Sequence, residues 1–192
     1  MTDIITPTSL LNAVNTVLGS LSESPVSSLS QDALPLDASM ALDLINETSR
    51  ETQKKGWQWN RECHRLTPDT DKFIQLPTNT LEIKPIGNSG HVPVTLRSGR
   101  VYNMTPFKHS FEFEDLIELE LTLALPFEDL PESCRRYVAL KASWVFQGRH
   151  LGDEQQSQSL GRAITEAWND LHNEEHENHP VSMANSSIIR DM

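Results

Sequence analysis

The residues with the most suggestive spacing are His172, Glu175 and His176, in the run His172-Asn173-Glu174-Glu175-His176. Two histidines one helical turn apart can hold a zinc ion while a glutamate between them acts as general base, the H-x-x-E-H arrangement, with His179 or a distant carboxylate as a third ligand. That reading describes a zinc-dependent hydrolase. Against it, the run lies where an amphipathic helix passes into acidic polar residues ending at Pro180, with no apolar wall to exclude water or fix the ligands' own partners. A solvated helix end accounts for the same residues. Gly87-Asn88-Ser89-Gly90-His91 has the outline of a nucleophilic-serine loop, but Asn88 and His91 depart from the Gly-Asp-Ser-Gly-Gly form and no companion His and Asp stand in a recognisable context. It reads better as a turn between strands. Neither a G-x-x-x-x-G-K-[ST] phosphate loop nor a G-x-G-x-x-G dinucleotide turn occurs, and no cofactor or resident metal is expected.

Charge narrows the function further. A net charge of -11 over 192 residues opposes nucleic-acid reading, which draws its affinity from Lys and Arg that displace counterions from phosphates. From Phe111 to Glu132 there is no basic residue, while Glu112, Glu114, Asp115, Glu118, Glu120, Glu128, Asp129 and Glu132 accumulate. This predicts a solvated acidic sheet face or, on a sharper reading, a surface that repels DNA. Cys63 and Cys134 form no C-x-x-C pair and are expected to be buried thiols. The first residues carry no basic-then-apolar signal and no stretch approaches a membrane span, so the protein is expected to be made and kept in the cytosol or to leave it without a signal.

Positioning these residues requires helices at both ends and strands between. Leu10, Leu11, Val14, Val17, Leu18 and Leu21 predict a helix over Ser9 to Leu21 with Ser9 as cap. A second helix is predicted from a cap at Asp37 to Lys55, stopped by Gly56. Trp57 and Trp59 then mark a change of period, as an extended pair pointing to one side of a sheet. Strands are predicted at Phe73–Leu76, Leu81–Ile86, Val92–Leu96, Val101–Asn103 and Leu116–Leu125, with a hairpin turn at Ser98-Gly99-Arg100. Asp129, Pro131 and Glu132 predict a capping box opening a third helix, whose apolar residues from Tyr137 to Phe146 exceed one stripe. A fourth helix, capped by Asp153 with Gln156, carries the stripe Leu160, Ile164, Ala167 and Leu171 beside Trp168.

The fold class this implies is α+β: a four-helix bundle with a β-sheet domain inserted between helices 2 and 3. The expected division is 1–56 and 130–177 for the two halves of the helical domain, 57–129 for the β domain and 178–192 for a C-terminal tail. The four tryptophans read as core or interface anchors rather than ligand platforms.

A dispersed set of residues carries a resemblance. It comprises Ala13-Val14-Asn15, Leu18, Glu23-Ser24-Pro25-Val26-Ser27-Ser28-Leu29, Gln53-Lys54-Lys55-Gly56-Trp57-Gln58-Trp59-Asn60, Gly99-Arg100-Val101-Tyr102, Leu130-Pro131-Glu132-Ser133-Cys134-Arg135-Arg136-Tyr137 and Lys141-Ala142-Ser143. In order and spacing the set resembles the tail tubular protein A family of T7-like short-tailed phages, the gatekeeper or head-to-tail adaptor. The resemblance implies a structural, non-enzymatic protein of the virion tail, assembled in the host cytoplasm as a dodecameric ring. Its implied partners are the portal protein, the tail nozzle protein and tail fibres, with genome DNA passing through the lumen without sequence-specific binding. Part of the acidic surface, Glu118 and Glu120 included, is expected to line that channel. Tyr137, Trp144, Phe146 and Trp168, and Ile188, Ile189 and Arg190 in the tail, are expected at subunit or partner contacts.

Overall fold

The computed structural model describes residues 6–30, 34–150 and 154–177. Along the chain run α1 (Leu10–Gly19), α2 (Leu36–Gln53), β1 (Arg61–Leu66), β2 (Thr80–Pro85), β3 (Val94–Arg97), β4 (Arg100–Asn103), β5 (Ile117–Leu123), α3 (Glu132–His150) and α4 (Glu154–Glu177). The chain is α+β, with its strands between the second and third helices. The expected box of Asp153 with Gln156, the third-ligand candidate His179, and Ile188, Ile189 and Arg190 lie outside the described residues.

The helices follow their apolar spacing. In α1, Ala13, Val14, Val17 and Leu18 are buried, and the Ser9 hydroxyl accepts the Asn12 N–H at 3.2 Å as a cap should. Asp37 does not cap α2: Pro35 holds that position without a side-chain bond and Asp37 lies in the first turn, where its charge still suits the helix dipole. Asp129 does not cap α3 either. Phe127–Asp129 form a separate 3-10 turn, drawn in by buried Phe127 and Leu130, and an extended Leu130 separates it from the helix. Glu132, expected to close that box, instead accepts the Thr8 backbone N–H at 2.9 Å and the Thr8 hydroxyl.

The apolar excess of α3 is covered by α1, α2 and α4, which all pack on it. Lys141 pairs with Glu51 in the last turn of α2 at 3.2 Å, and Val145 and Arg149 share a crevice with Leu44 and Glu47. Thus α2 runs antiparallel to α3, and the start of α2 lies level with the end of α3. One core unites Ala13, Val17, Ile45, Val138, Phe146 and Leu171 from all four helices.

A second core belongs to the strands. β5 is central in the antiparallel order β1-β5-β2, burying Ile117, Leu119, Leu121 and Leu123 on one face while Glu118, Glu120 and Thr122 alternate on the other. The β3–β4 hairpin adds Val94 and Val101, joined by Ile74, Leu76 and Phe113. Its two-residue turn needs a left-handed backbone twice, met by Ser98 at φ 52° and Gly99 at φ 71°. Three strand expectations need correction. Phe73–Leu76, bracketed by Pro68 and Pro77, forms only isolated bridges, Phe73 to Glu112 and Gln75 to Arg100. Trp57 and Trp59 flank the start of a 3-10 turn over Gln58–Asn60 rather than a strand, their rings stacked 6.2 Å apart at 7°. β1 was not foreseen, because its residues are mostly charged or polar.

Candidate assembly surfaces and the joint between the cores

The His172–His176 run is a seam rather than a solvated end. The His172 ring lies 5.0 Å from that of Trp57 and 4.5 Å from that of Trp168, and Lys55 Nζ sits 4.1 Å above Trp168. Glu175 accepts the Gln58 N–H at 2.8 Å, and Glu174 accepts the Ser133 hydroxyl. The carboxylate that the hydrolase reading assigns as base is thus committed to a backbone N–H at the start of a 3-10 turn. Among the described residues, no group of three or more His, Cys, Asp or Glu is arranged to hold a metal ion. Ser89 is likewise structural: it is 8% exposed, ends a 3-10 turn, and its hydroxyl accepts the Glu118 N–H at 2.9 Å.

The two cores are joined by buried amides. Gln53, 1% exposed, donates from Nε2 to the Leu125 carbonyl at 3.1 Å and to Ser49 Oγ at 3.0 Å, and its Oε1 accepts the Leu125 N–H at 2.7 Å. Asn60, also 1% exposed, donates to the Gln53 and Leu123 carbonyls, both at 2.9 Å, and accepts the Trp57 N–H at 2.8 Å. Trp57 Nε1 donates to the Thr52 carbonyl at 2.8 Å. These bonds fasten the end of α2, the 3-10 turn and the end of β5 to one another. Arg135 does the same where the chain returns to the helices, donating to the carbonyls of Leu130 (2.8 Å), Thr8 (2.9 Å) and Glu128.

The acidic run from Glu112 to Glu132 is largely a set of clamps, which corrects the expectation of a solvated face. Glu114 pairs with Lys72 at 2.7 Å, Glu118 with Arg65 at 2.9 Å and Glu120 with Arg61 at 3.7 Å, while Glu128 accepts the Leu10 N–H at 3.3 Å. Glu118 also accepts the Asn88 N–H at 2.8 Å. That N–H first, and the Arg65 side chain after it, holds the Glu118 carboxyl below its ordinary range against the opposing effect of desolvation. A Cβ at Gly87 would stand 2.2 Å from Glu118 Oε2, at a φ of 54° that disfavours any side chain. Cys134 is buried as expected, its thiol pushed up to about 12 by desolvation and then by Glu174, but Cys63 is exposed. It lies in β1, which pairs only with β5 and so forms an edge of the sheet.

The expected contact residues divide. Phe146, at 1% exposure, lies inside the helical core. Tyr137 and the half-buried Trp168 pack on each other at 4.8 Å. Trp144 is 46% exposed, the one large apolar residue of α3 left on the surface among the described residues. Leu36, at 74% exposure, and Met40, at 38%, lie apart from it, in the first turns of α2. One turn after Trp144, Gln147 is 0% exposed, yet neither of its amide atoms has a hydrogen-bond partner among the described residues. Sequence reasoning missed Leu36, Met40 and Gln147. The signal for the amide was present, a Gln in place of an apolar residue one position after Phe146. Arg61 Nε is also buried without a partner, but its guanidinium still faces Glu120.

Two comparisons bear on this molecule. Residues 11–181 match the family described as tail tubular protein. Over 129 residues the chain is 30% identical to tail tubular protein A of Klebsiella phage KP34, an alignment covering 67% of this chain and 66%, just under two thirds, of that relative. This chain belongs to the tail tubular protein family, a structural family of the phage tail.

Proposed function

We propose, from that membership, that the chain is the head-to-tail adaptor of a short-tailed phage virion. Twelve copies form a ring between the portal and the tail nozzle protein, with tail fibres at its rim and the genome passing through the lumen, and the ring is assembled in the host cytoplasm. The helices act as a four-helix bundle, with the strands as an inserted domain over about residues 57–129.

The observation that carries the reading is the far end of the helical core. Trp144 is exposed toward the end of α3, and Gln147, one turn further on, is buried without a hydrogen-bond partner among the described residues. An exposed tryptophan one helical turn from an unsatisfied amide suits a surface that a second molecule completes. Trp144 is the anchor of this contact, since buried tryptophans dominate interface energetics. The net charge of -11 supports a lumen along which DNA moves without sticking. Glu118 and Glu120 contribute little to that property, because each already faces an arginine.

The test is binding of the purified chain to its cognate portal, followed by electron microscopy and titration. The expected result is ring-shaped complexes, weakened at least roughly tenfold by Trp144→Ala, with the melting temperature of the free chain unchanged. Failure of the wild-type chain to bind the portal would overturn the adaptor reading. Unchanged binding by Trp144→Ala would move the contact away from this end.

A further inference from the structure

The β3–β4 hairpin carries a feature that the overall acidity hides. From Ile83 to Phe111 the chain has no Asp or Glu, while Lys84, Arg97, Arg100 and Lys108 fall within that stretch. The fold gathers aromatic rings around two of these cations. Arg97 lies 3.9 Å over the Tyr102 ring and Arg100 lies 4.6 Å over the Phe73 ring. Phe111 bridges the two, 4.8 Å from Tyr102 and 6.4 Å from Phe73. Stacking on a ring holds a guanidinium in place while leaving its N–H edge outward. Arg100 has a carboxylate in its neighbourhood, Asp69, held below its ordinary range by the Phe73 N–H first and by Arg100 least. Arg97 is exposed, and among the described residues no carboxylate pairs with it.

Next to this ladder stands an apolar finger. His109 stacks on Tyr102 at 6.3 Å, and two residues before it Phe107 is 103% exposed at a φ of 65°. A phenylalanine in the left-handed region, turned wholly to water, gains nothing within its own chain. The finger has a defined base: Asn103 and Ser110 bridge its two sides, Asn103 Oδ1 accepts the Thr105 N–H at 2.8 Å, and the Lys108 N–H donates to the Thr105 carbonyl at 2.9 Å.

We propose that Arg97 and Phe107 form a docking site for another protein, one that offers a surface carboxylate beside an apolar pocket. The carboxylate takes the outward edge of Arg97 in a fork-shaped pair, and the pocket takes Phe107. Charge complementarity selects a protein over a nucleic acid. A phosphate backbone needs many cations to displace its counterions, whereas one unpaired arginine in a chain of net charge -11 suits a single carboxylate. The rings of the ladder also have their faces taken up by arginines and by one another, which leaves little for bases to stack on.

The test uses the full chain and a fluorescein-labelled peptide of alternating Glu and Leu, followed by anisotropy. A peptide with Lys for Glu and a single-stranded oligothymidylate of equal charge serve as controls. The expected result is salt-sensitive binding of the Glu peptide alone, weakened roughly tenfold by Arg97→Glu and about fivefold by Phe107→Ser. Arg97→Gln, which removes the charge with less disturbance, should lie between Arg97→Glu and the wild-type chain. Light scattering is run on the same samples. Three outcomes overturn the proposal: equal binding of all three probes, tighter binding of the oligothymidylate, or loss of self-association in Arg97→Glu with no effect on the peptide. The last would assign the face to a second copy of this chain.

Discussion

Gln53, in the last turn of α2, and Gln147, near the end of α3, are both shut away from solvent, at 1% and 0% exposure. Because α2 and α3 run antiparallel, Gln147 lies away from the strand-facing end that Gln53 occupies. At the strand-facing end, Gln53 is bonded at both amide atoms to Leu125 and by a further bond to Ser49, with Asn60 and Trp57 completing the joint. Toward the end of α3, Gln147 has no partner among the described residues, and Trp144, one turn before it, faces water. The contrast separates two uses of a buried polar group. A satisfied amide fixes where one part of a chain meets another, whereas an unsatisfied one leaves free energy to be gained when the surface is completed. On the adaptor reading, the first belongs to folding and the second to assembly.

The comparison is most exposed to failure at Asn60. Replacing it by Ala strands the Trp57 N–H and the Gln53 and Leu123 carbonyls, and is expected to cost about 3 kcal/mol in urea unfolding. A loss below about 1 kcal/mol would mean that the joint does not depend on its amides. A matched pair comes next. Gln53→Met is expected to destabilise the free chain by about 2 kcal/mol, and Gln147→Met to stabilise it by about 1 kcal/mol, because only the second removes an unpaired amide. Changes of the same sign would erase the difference between the two ends. The smallest effect is read from pH. The folded Glu118 carboxyl titrates below its ordinary value of 4.5, so its stabilising contribution is present above that pH and is lost as pH falls through the lower, folded value. Glu118→Gln should therefore flatten the acid side of the stability profile in that interval and leave the slope near neutrality alone, as measured by thermal melts across pH.

Much of this was legible in the residues. The steps of α1 and its Ser9 cap, the alternation of β5 and the turn at Ser98-Gly99 all express local rules that tertiary contacts did not override. β1 was not legible, because it is an edge strand whose Arg61 and Arg65 face the carboxylates of β5, so its pattern is one of charge complementarity rather than apolar alternation. The capping box at Asp129 failed because burial of Phe127 and Leu130 inserted a 3-10 turn that spacing alone does not reveal. The acidic run misled for a related reason. A sequence displays the sign of each charge but not its partner, and here the partners are a lysine, two arginines and the backbone N–H groups of distant segments. Of the surfaces, Trp144 was among the residues anticipated, whereas the stacked Arg97 and the exposed Phe107 emerge only when the hairpin is closed.

The bonds between Gln53 and Leu125 have a consequence for how such a protein can change over generations. They place the point where the chain leaves the helices and the point where it returns within reach of a single side chain. What lies between Asn60 and Leu123 can be lengthened, traded by recombination or replaced while the two stumps stay in register. A phage lineage could thus exchange what lies beyond this clasp and keep the helices as they are. A chimera that swaps residues 61–122 for the equivalent stretch of a relative should retain the helical core if Gln53 and Asn60 still find the carbonyls of Leu125 and Leu123.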